Sequence, residues 1–129
     1  MPRPGSTQPT EVELQILRVL WERGPSTVRQ VHNALGAAKD TNYSTTVKML
    51  SVMLDKGLVK RDETVRPLLY RPVRSQQTTQ RNMLRDLVQR AYGGSAGSLV
   101  LQALSTQRAT PEELAEIRLL LDELEGESP

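Results

Sequence analysis

Cysteine and phenylalanine are absent from this chain of 129 residues, and histidine and tryptophan occur once each. Without cysteine there is no disulfide, no thiolate metal site and no catalytic or redox thiol, which agrees with a reducing compartment. Aromatic residues make up 3% of the chain, so aliphatic side chains must build whatever core exists, and that favours helices over a β-sandwich. No run approaches the roughly 18 apolar residues of a membrane span. The opening "MPRPGSTQP" is rich in Pro and Gly and lacks an apolar signal core. These absences lead us to expect a cytoplasmic protein without membrane insertion, in which residues 1–9 are a flexible start.

Chemistry is equally sparse. The single histidine, His32, stands beside Val28, Val31 and Leu35, and is expected at the edge of a core, its role unassigned. With no second histidine and no cysteine to join it, neither a metal centre nor an enzyme is expected, and no cofactor is called for. The stretch "GGSAG" lacks the Lys-Ser/Thr ending of a phosphate-binding loop.

What is present divides by charge. Residues 1–74 carry 12 Lys/Arg against 7 Asp/Glu, a balance of +5; residues 75–129 carry 5 against 8, a balance of −3. The basic half is the candidate for contact with a polyanion. A chain of this length holds either one domain with a modest core, or a small module plus an extension that needs a partner to cover its apolar face.

Helical spacing dominates the basic half. "TEVELQILRVLWERG" opens with a Thr10/Glu13 capping box, continues through Val12, Ile16, Val19 and Leu20, and ends at Gly24 and Pro25. "STVRQVHNALG" has Ser26 as its expected N-cap and Gly36 as its stop. After the polar linker "AAKDT", a third helix starts from Asn42 or Ser44, turns Val47, Leu50 and Leu54 inward, and stops at Gly57. "LVKRDETVRPLLYRP" then reads as two strands, Leu58 to Arg61 and Leu68 to Arg71, around a turn. Three helices followed by a hairpin is the order of a winged helix-turn-helix, expected over residues 10–74.

In that architecture the third helix is presented outward, with Thr45, Thr46, Lys48, Met49 and Val52 facing away from the core. Small hydroxyl residues in its first turn have two explanations. They cap their own helix, or they let it approach a major groove closely and touch phosphates, base edges and thymine methyls. The hairpin and the basic half favour the second. The candidate DNA contacts are Asn42, Ser44, Thr45, Thr46, Lys48, Met49, Lys60, Arg61, Arg66 and Arg71, with Lys56 and Arg74 nearby. The alternative use of the same fold is a protein-binding module.

Residues 75–129 are expected to form a helical dimerisation region. Three amphipathic helices around "GGSAG" have too little chain to be their own core, and an identical copy is the economical cover. The residues assigned to that contact are Leu84, Leu87, Val88, Leu99, Val100, Leu101, Leu104, Leu114, Ile117, Leu120, Leu121 and Leu124. Pro111 and a Thr110/Glu113 capping box start the last helix. The fold class is therefore mainly α with a small β-hairpin.

The segments "TEVELQILRVLWERGPSTVRQVHNAL", "NYSTTVKMLSVMLDKGLVKRDE", "YRP", "YGGSAGSLVLQALS" and "TPEELAEIRLLLDELE" resemble the penicillinase-repressor family of transcription regulators, the BlaI/MecI/CopY type. The resemblance runs from about Thr10 to Glu125. It implies a homodimer that represses genes by occupying palindromic double-stranded operators, with DNA read by the third helix through Ser44, Thr45, Thr46 and Lys48. Copper-responsive members carry a Cys-rich C-terminal motif, which this chain lacks. In β-lactam-responsive members a membrane-bound sensor protease leads to cleavage at an Asn-Phe bond. The matching dipeptide here is Gln102-Ala103, a candidate cleavage site in which both residue types differ.

Overall fold

In the computed structural model, residues 8–36 and 42–126 are described. Residues 1–7 of the expected flexible start and the linker of residues 37–41 lie outside that range. Gln8 and Pro9, assigned to the same start, are half-buried, and the Gln8 carbonyl accepts a hydrogen bond from Lys56.

The expected capping box opens helix α1 (Glu11–Arg23). Thr10 Oγ1 accepts from the Glu13 N–H at 3.2 Å, and Glu13 Oε1 accepts from the Thr10 N–H at 2.9 Å. The same Glu13 oxygen receives Lys56 Nζ at 2.7 Å, so one carboxylate both caps α1 and holds the end of a distant helix. Helix α2 (Val28–Leu35) is capped by Thr27, whose hydroxyl and backbone exchange bonds with Gln30. Ser26, the expected cap, is buried and used otherwise. Its N–H and C=O pair with the backbone of Tyr70, and its hydroxyl donates to the Gly24 carbonyl at 2.8 Å. A residue already committed to an inter-element ladder has no freedom to cap, and the duty passes to its neighbour.

Helix α3 (Tyr43–Asp55) begins at Asn42. Strands β1 (Val59–Asp62) and β2 (Leu69–Pro72) follow, antiparallel, with Val59 opposite Pro72 and Arg61 opposite Tyr70. Each strand starts one residue later than expected. Leu58 explains the first shift: its N–H closes the end of α3 on the Met53 carbonyl at 2.9 Å, so it belongs to the helix terminus. Pro72, which has no N–H, fits the last position of an edge strand.

Ile16, Leu17 and Leu20 of α1, Val31 of α2, Leu50 and Met53 of α3, and Leu58, Val59 and Tyr70 of the hairpin form the core. Each fully buried aliphatic side chain contributes about 1.5–3 kcal/mol relative to exposure. The Trp21 indole donates to the Arg74 carbonyl at 3.0 Å, tying α1 to the chain leaving the wing. This is the winged-helix arrangement expected from the order of elements.

Helix α4 (Gln76–Ala91) starts over Ser75, whose hydroxyl oxygen accepts from the Thr78 N–H. The first compact unit extends to Met83 and the second begins at Leu84, a boundary inside α4. Within the second unit, Gly93 and Gly94 take positive φ values of 58° and 86°, which side chains with a Cβ rarely adopt, and the Gly94 N–H returns to the Val88 carbonyl. Ser95 caps α5 (Ala96–Thr106), and Thr110 with Glu113 caps α6 (Pro111–Gly126). No residue of α5 or α6 is buried. No helix among the described residues is long and apolar enough to cross a membrane.

Glu13 is 5% exposed, so removal of its ammonium partner leaves a carboxylate poorly solvated. Lys56→Ala is expected to lower the stability of the chain by roughly 1–3 kcal/mol in urea unfolding. A change within error would mean that the pair is not coupled to folding.

Candidate nucleic-acid interface

The rotation of α3 about its axis decides which residues meet a partner. Thr46, Leu50 and Met53 are all 0% exposed and form the inner face. Thr46 was expected to point outward and does not. Its hydroxyl lies 2.9 Å from His32 Nδ1, so a polar side chain is buried with its hydrogen bond satisfied. Met49, also expected outward, is half-buried against the core. Val47, expected inward, is 41% exposed. The reason is steric as well as polar: the small Thr46 lets α2 and α3 approach where a larger side chain would hold them apart. A pattern that counts only apolar residues misses a buried hydroxyl.

Ser44, Thr45 and Lys48 are exposed, as expected, and are joined on the outer surface by Tyr43, Val47, Ser51 and Val52. Asn42 stands at the N-cap but makes no side-chain capping bond, so its amide is not consumed by the helix.

The basic residues separate into two groups. Lys56 is held by Glu13, and Arg74 Nη1 reaches the Gly57 carbonyl at 3.4 Å. Arg61 donates to Glu63 Oε2 at 2.8 and 3.1 Å, while Arg66 donates to the carbonyls of Glu63 and Val65, so both brace the hairpin tip. Hydrogen bonding with Tyr70 and then with Glu63 pushes the Arg61 pKa up. Bonds from the Thr64 hydroxyl and N–H hold Asp62 below the usual carboxylate range. Lys60 and Arg71 are different. They sit directly opposite one another across the ladder, both exposed, with no ion-pair partner among the described residues. Like charges in register disfavour the isolated sheet, and an anion between them would relieve the repulsion.

This geometry, an outward helix with a hydroxyl-rich first turn beside a basic hairpin, agrees with sequence relationships. The family described as penicillinase repressor matches residues 9–123. The chain belongs to that family. The transcriptional regulator BlaI of Mycobacterium tuberculosis strain H37Rv is 31% identical over 118 residues, covering 90% of this chain and 84% of the relative. The protein of the same name from strain CDC 1551 matches equally. The penicillinase repressor of Bacillus licheniformis is 23% identical over 116 residues, covering 90% of this chain and 91% of its own.

In the second unit, most of the residues assigned to dimerisation are exposed. Leu84, Leu87, Val100, Leu101, Leu104, Leu120, Leu121 and Leu124 are between 41% and 71% exposed, and Leu119, not anticipated, is 60% exposed. Val88, Leu99, Leu114 and Ile117 are half-buried. Gln102 and Ala103 lie within α5, and Gln102 Oε1 accepts from the Tyr92 hydroxyl at 2.8 Å.

Arg29 and Tyr43 were not anticipated at all. The Arg29 guanidinium stands 4.0 Å from the centroid of the Tyr43 ring, whose plane meets the His32 ring edge-on at 82° with centroids 5.5 Å apart. No local spacing signals this cluster, because its members come from two helices separated by a linker.

Thr46→Val keeps the shape of the buried residue and strands the imidazole nitrogen. It is expected to cost about 1 kcal/mol, and His32→Phe in the same background to recover part of it, giving a coupling visible in a double-mutant cycle of denaturation midpoints. Additive losses would show that the bond contributes nothing.

Proposed function

We propose that this protein is a sequence-specific DNA-binding transcriptional repressor that acts as a homodimer on a palindromic operator. The observation that carries the proposal is the outward face of α3, with Ser44, Thr45 and Lys48 exposed and Asn42 making no capping bond, together with the like-charged Lys60–Arg71 pair on the hairpin. The first turn of α3 enters the major groove. Thr45 and Ser44 reach base edges or phosphates, and the methyl groups of Thr45, Val47 and Val52 supply contacts to thymine. Lys60 and Arg71 meet the backbone, where each neutralised phosphate makes binding more salt-dependent. Such a regulator works in the cytoplasm.

Dimerisation is supported by the leucines of α4, α5 and α6. Leu84, Leu87, Leu101, Leu104, Leu119, Leu120, Leu121 and Leu124 are each at least 41% exposed, and exposed leucines in such number favour a covering partner. A second copy covers them and places two α3 helices on half-sites about one helical turn, or a multiple, apart. Relief of repression by cleavage at Gln102-Ala103 requires α5 to open locally, since a protease takes its substrate extended and Gln102 is held by Tyr92. Incubation with a co-encoded sensor protease, followed by mass analysis, tests that step; an intact chain under conditions that induce the regulated genes rules it out.

The deciding experiment is selection of bound sites from a random duplex library, with recovered sites retested across a salt series. An enriched palindrome whose affinity falls steeply with salt is expected. Without enrichment, and without binding at low salt, the exposed Tyr43, Val47 and Val52 would instead mark a surface for docking a protein.

Two variants separate the units. Leu121→Asp is expected to shift the chain to monomer in ultracentrifugation and to weaken operator binding by about a hundredfold or more through loss of the linked half-site; a monomer with full affinity would refute the coupling. Thr45→Ala should leave the dimer intact and reduce discrimination between operator and mutated sites.

A further inference from the structure

Arg29, near the start of α2, is exposed, and no carboxylate among the described residues lies within ion-pair distance of it. It is nonetheless held in place. Its guanidinium lies on the ring of Tyr43, the first residue of α3, at 4.0 Å from the centroid. Tyr43 in turn packs nearly perpendicular to the His32 ring, and His32 is anchored by the buried Thr46 hydroxyl. Four residues from two helices thus form one continuous support ending in a solvent-facing cation.

A guanidinium held over an aromatic ring keeps N–H donors that the ring does not use. That is the arrangement suited to a phosphate, which accepts from the rim in the guanidinium plane. The position in the fold is suitable as well. Arg29 and Tyr43 border a shallow cleft of about 180 Å3 with Thr27, Leu68 and Tyr70, where α2, α3 and the wing converge. In a helix-turn-helix pair the first helix crosses the DNA backbone while the second enters the groove, and α2 is that first helix.

We propose that Arg29 is a DNA-backbone contact, binding a phosphate at the edge of the groove that α3 enters, and that Tyr43 and His32 are positioning residues for it. The inference rests on the DNA-binding reading and adds a contact on α2 to those on α3 and the wing. It differs from a purely structural role, in which the stack merely fastens α2 to α3, because only a phosphate contact releases counterions.

The test uses the full-length chain and a mixed-sequence duplex, since a phosphate contact does not depend on sequence. Arg29→Gln is compared with Arg18→Gln, an equal loss of charge on the exposed side of α1. The expected result for Arg29→Gln is a roughly fivefold loss of affinity near 0.15 M salt and a decrease of about 0.9 in the slope of log affinity against log salt. Arg18→Gln should change neither. Tyr43→Leu should weaken binding and Tyr43→Phe restore it, because the ring and not the hydroxyl carries the stack. An Arg29→Gln slope equal to that of Arg18→Gln overturns the proposal while leaving DNA binding intact. A wild-type protein that binds no duplex at any salt removes both readings together.

Discussion

The close approach of α2 and α3 at Thr46 is the constraint on which the functional surface depends. A hydroxyl residue with no exposed surface would ordinarily be costly, but the His32 nitrogen at 2.9 Å satisfies it. Once Thr46 is inside, Leu50 and Met53 follow at helical intervals, and the phase of α3 is set. Everything on the opposite side is then determined: Ser44, Thr45, Val47, Lys48 and Val52 are outward because Thr46 is inward.

Charge follows the same economy. Of the basic residues around α3 and the wing, several are engaged in holding the fold: Lys56 on Glu13, Arg61 on Glu63, and Arg66 on the carbonyls of the hairpin tip. What is left over is informative. Lys60 and Arg71 oppose one another with no ion pair among the described residues, Arg71 acting on Asp62 only at longer range, and Arg29 rests on an aromatic ring instead of a carboxylate. Positive charge that the fold does not neutralise is the part available to a polyanion.

The two compact units differ in how they satisfy their apolar residues. The winged unit buries aliphatic side chains and Tyr70 in a shared core. In α5 and α6 no side chain is buried, although leucine is abundant. The Thr110/Glu113 capping box, the Ser95 cap and the Gly93–Gly94 turn specify the helices of the second unit well, but local signals do not supply hydrophobic burial. That asymmetry is why oligomerisation and DNA binding are expected to be separable by mutation.

Much of the architecture was determined by the sequence alone, because the signals are local. Thr10 with Glu13, Thr110 with Glu113, and the stops at Gly24 and Gly36 mark helix ends through bonds made within a few residues. Alternation and the two prolines marked the hairpin, though not its register to the residue, since Leu58 is claimed by the end of α3. Tertiary structure decided the rest. Ser26 is drawn from capping into a ladder with Tyr70, Thr46 is drawn from the outer face into the core, Lys56 is drawn from the candidate interface to Glu13, and Arg29 is brought onto Tyr43. Each of these depends on a partner distant in the chain, and a side chain with two chemically acceptable uses takes the one its neighbours in space make available.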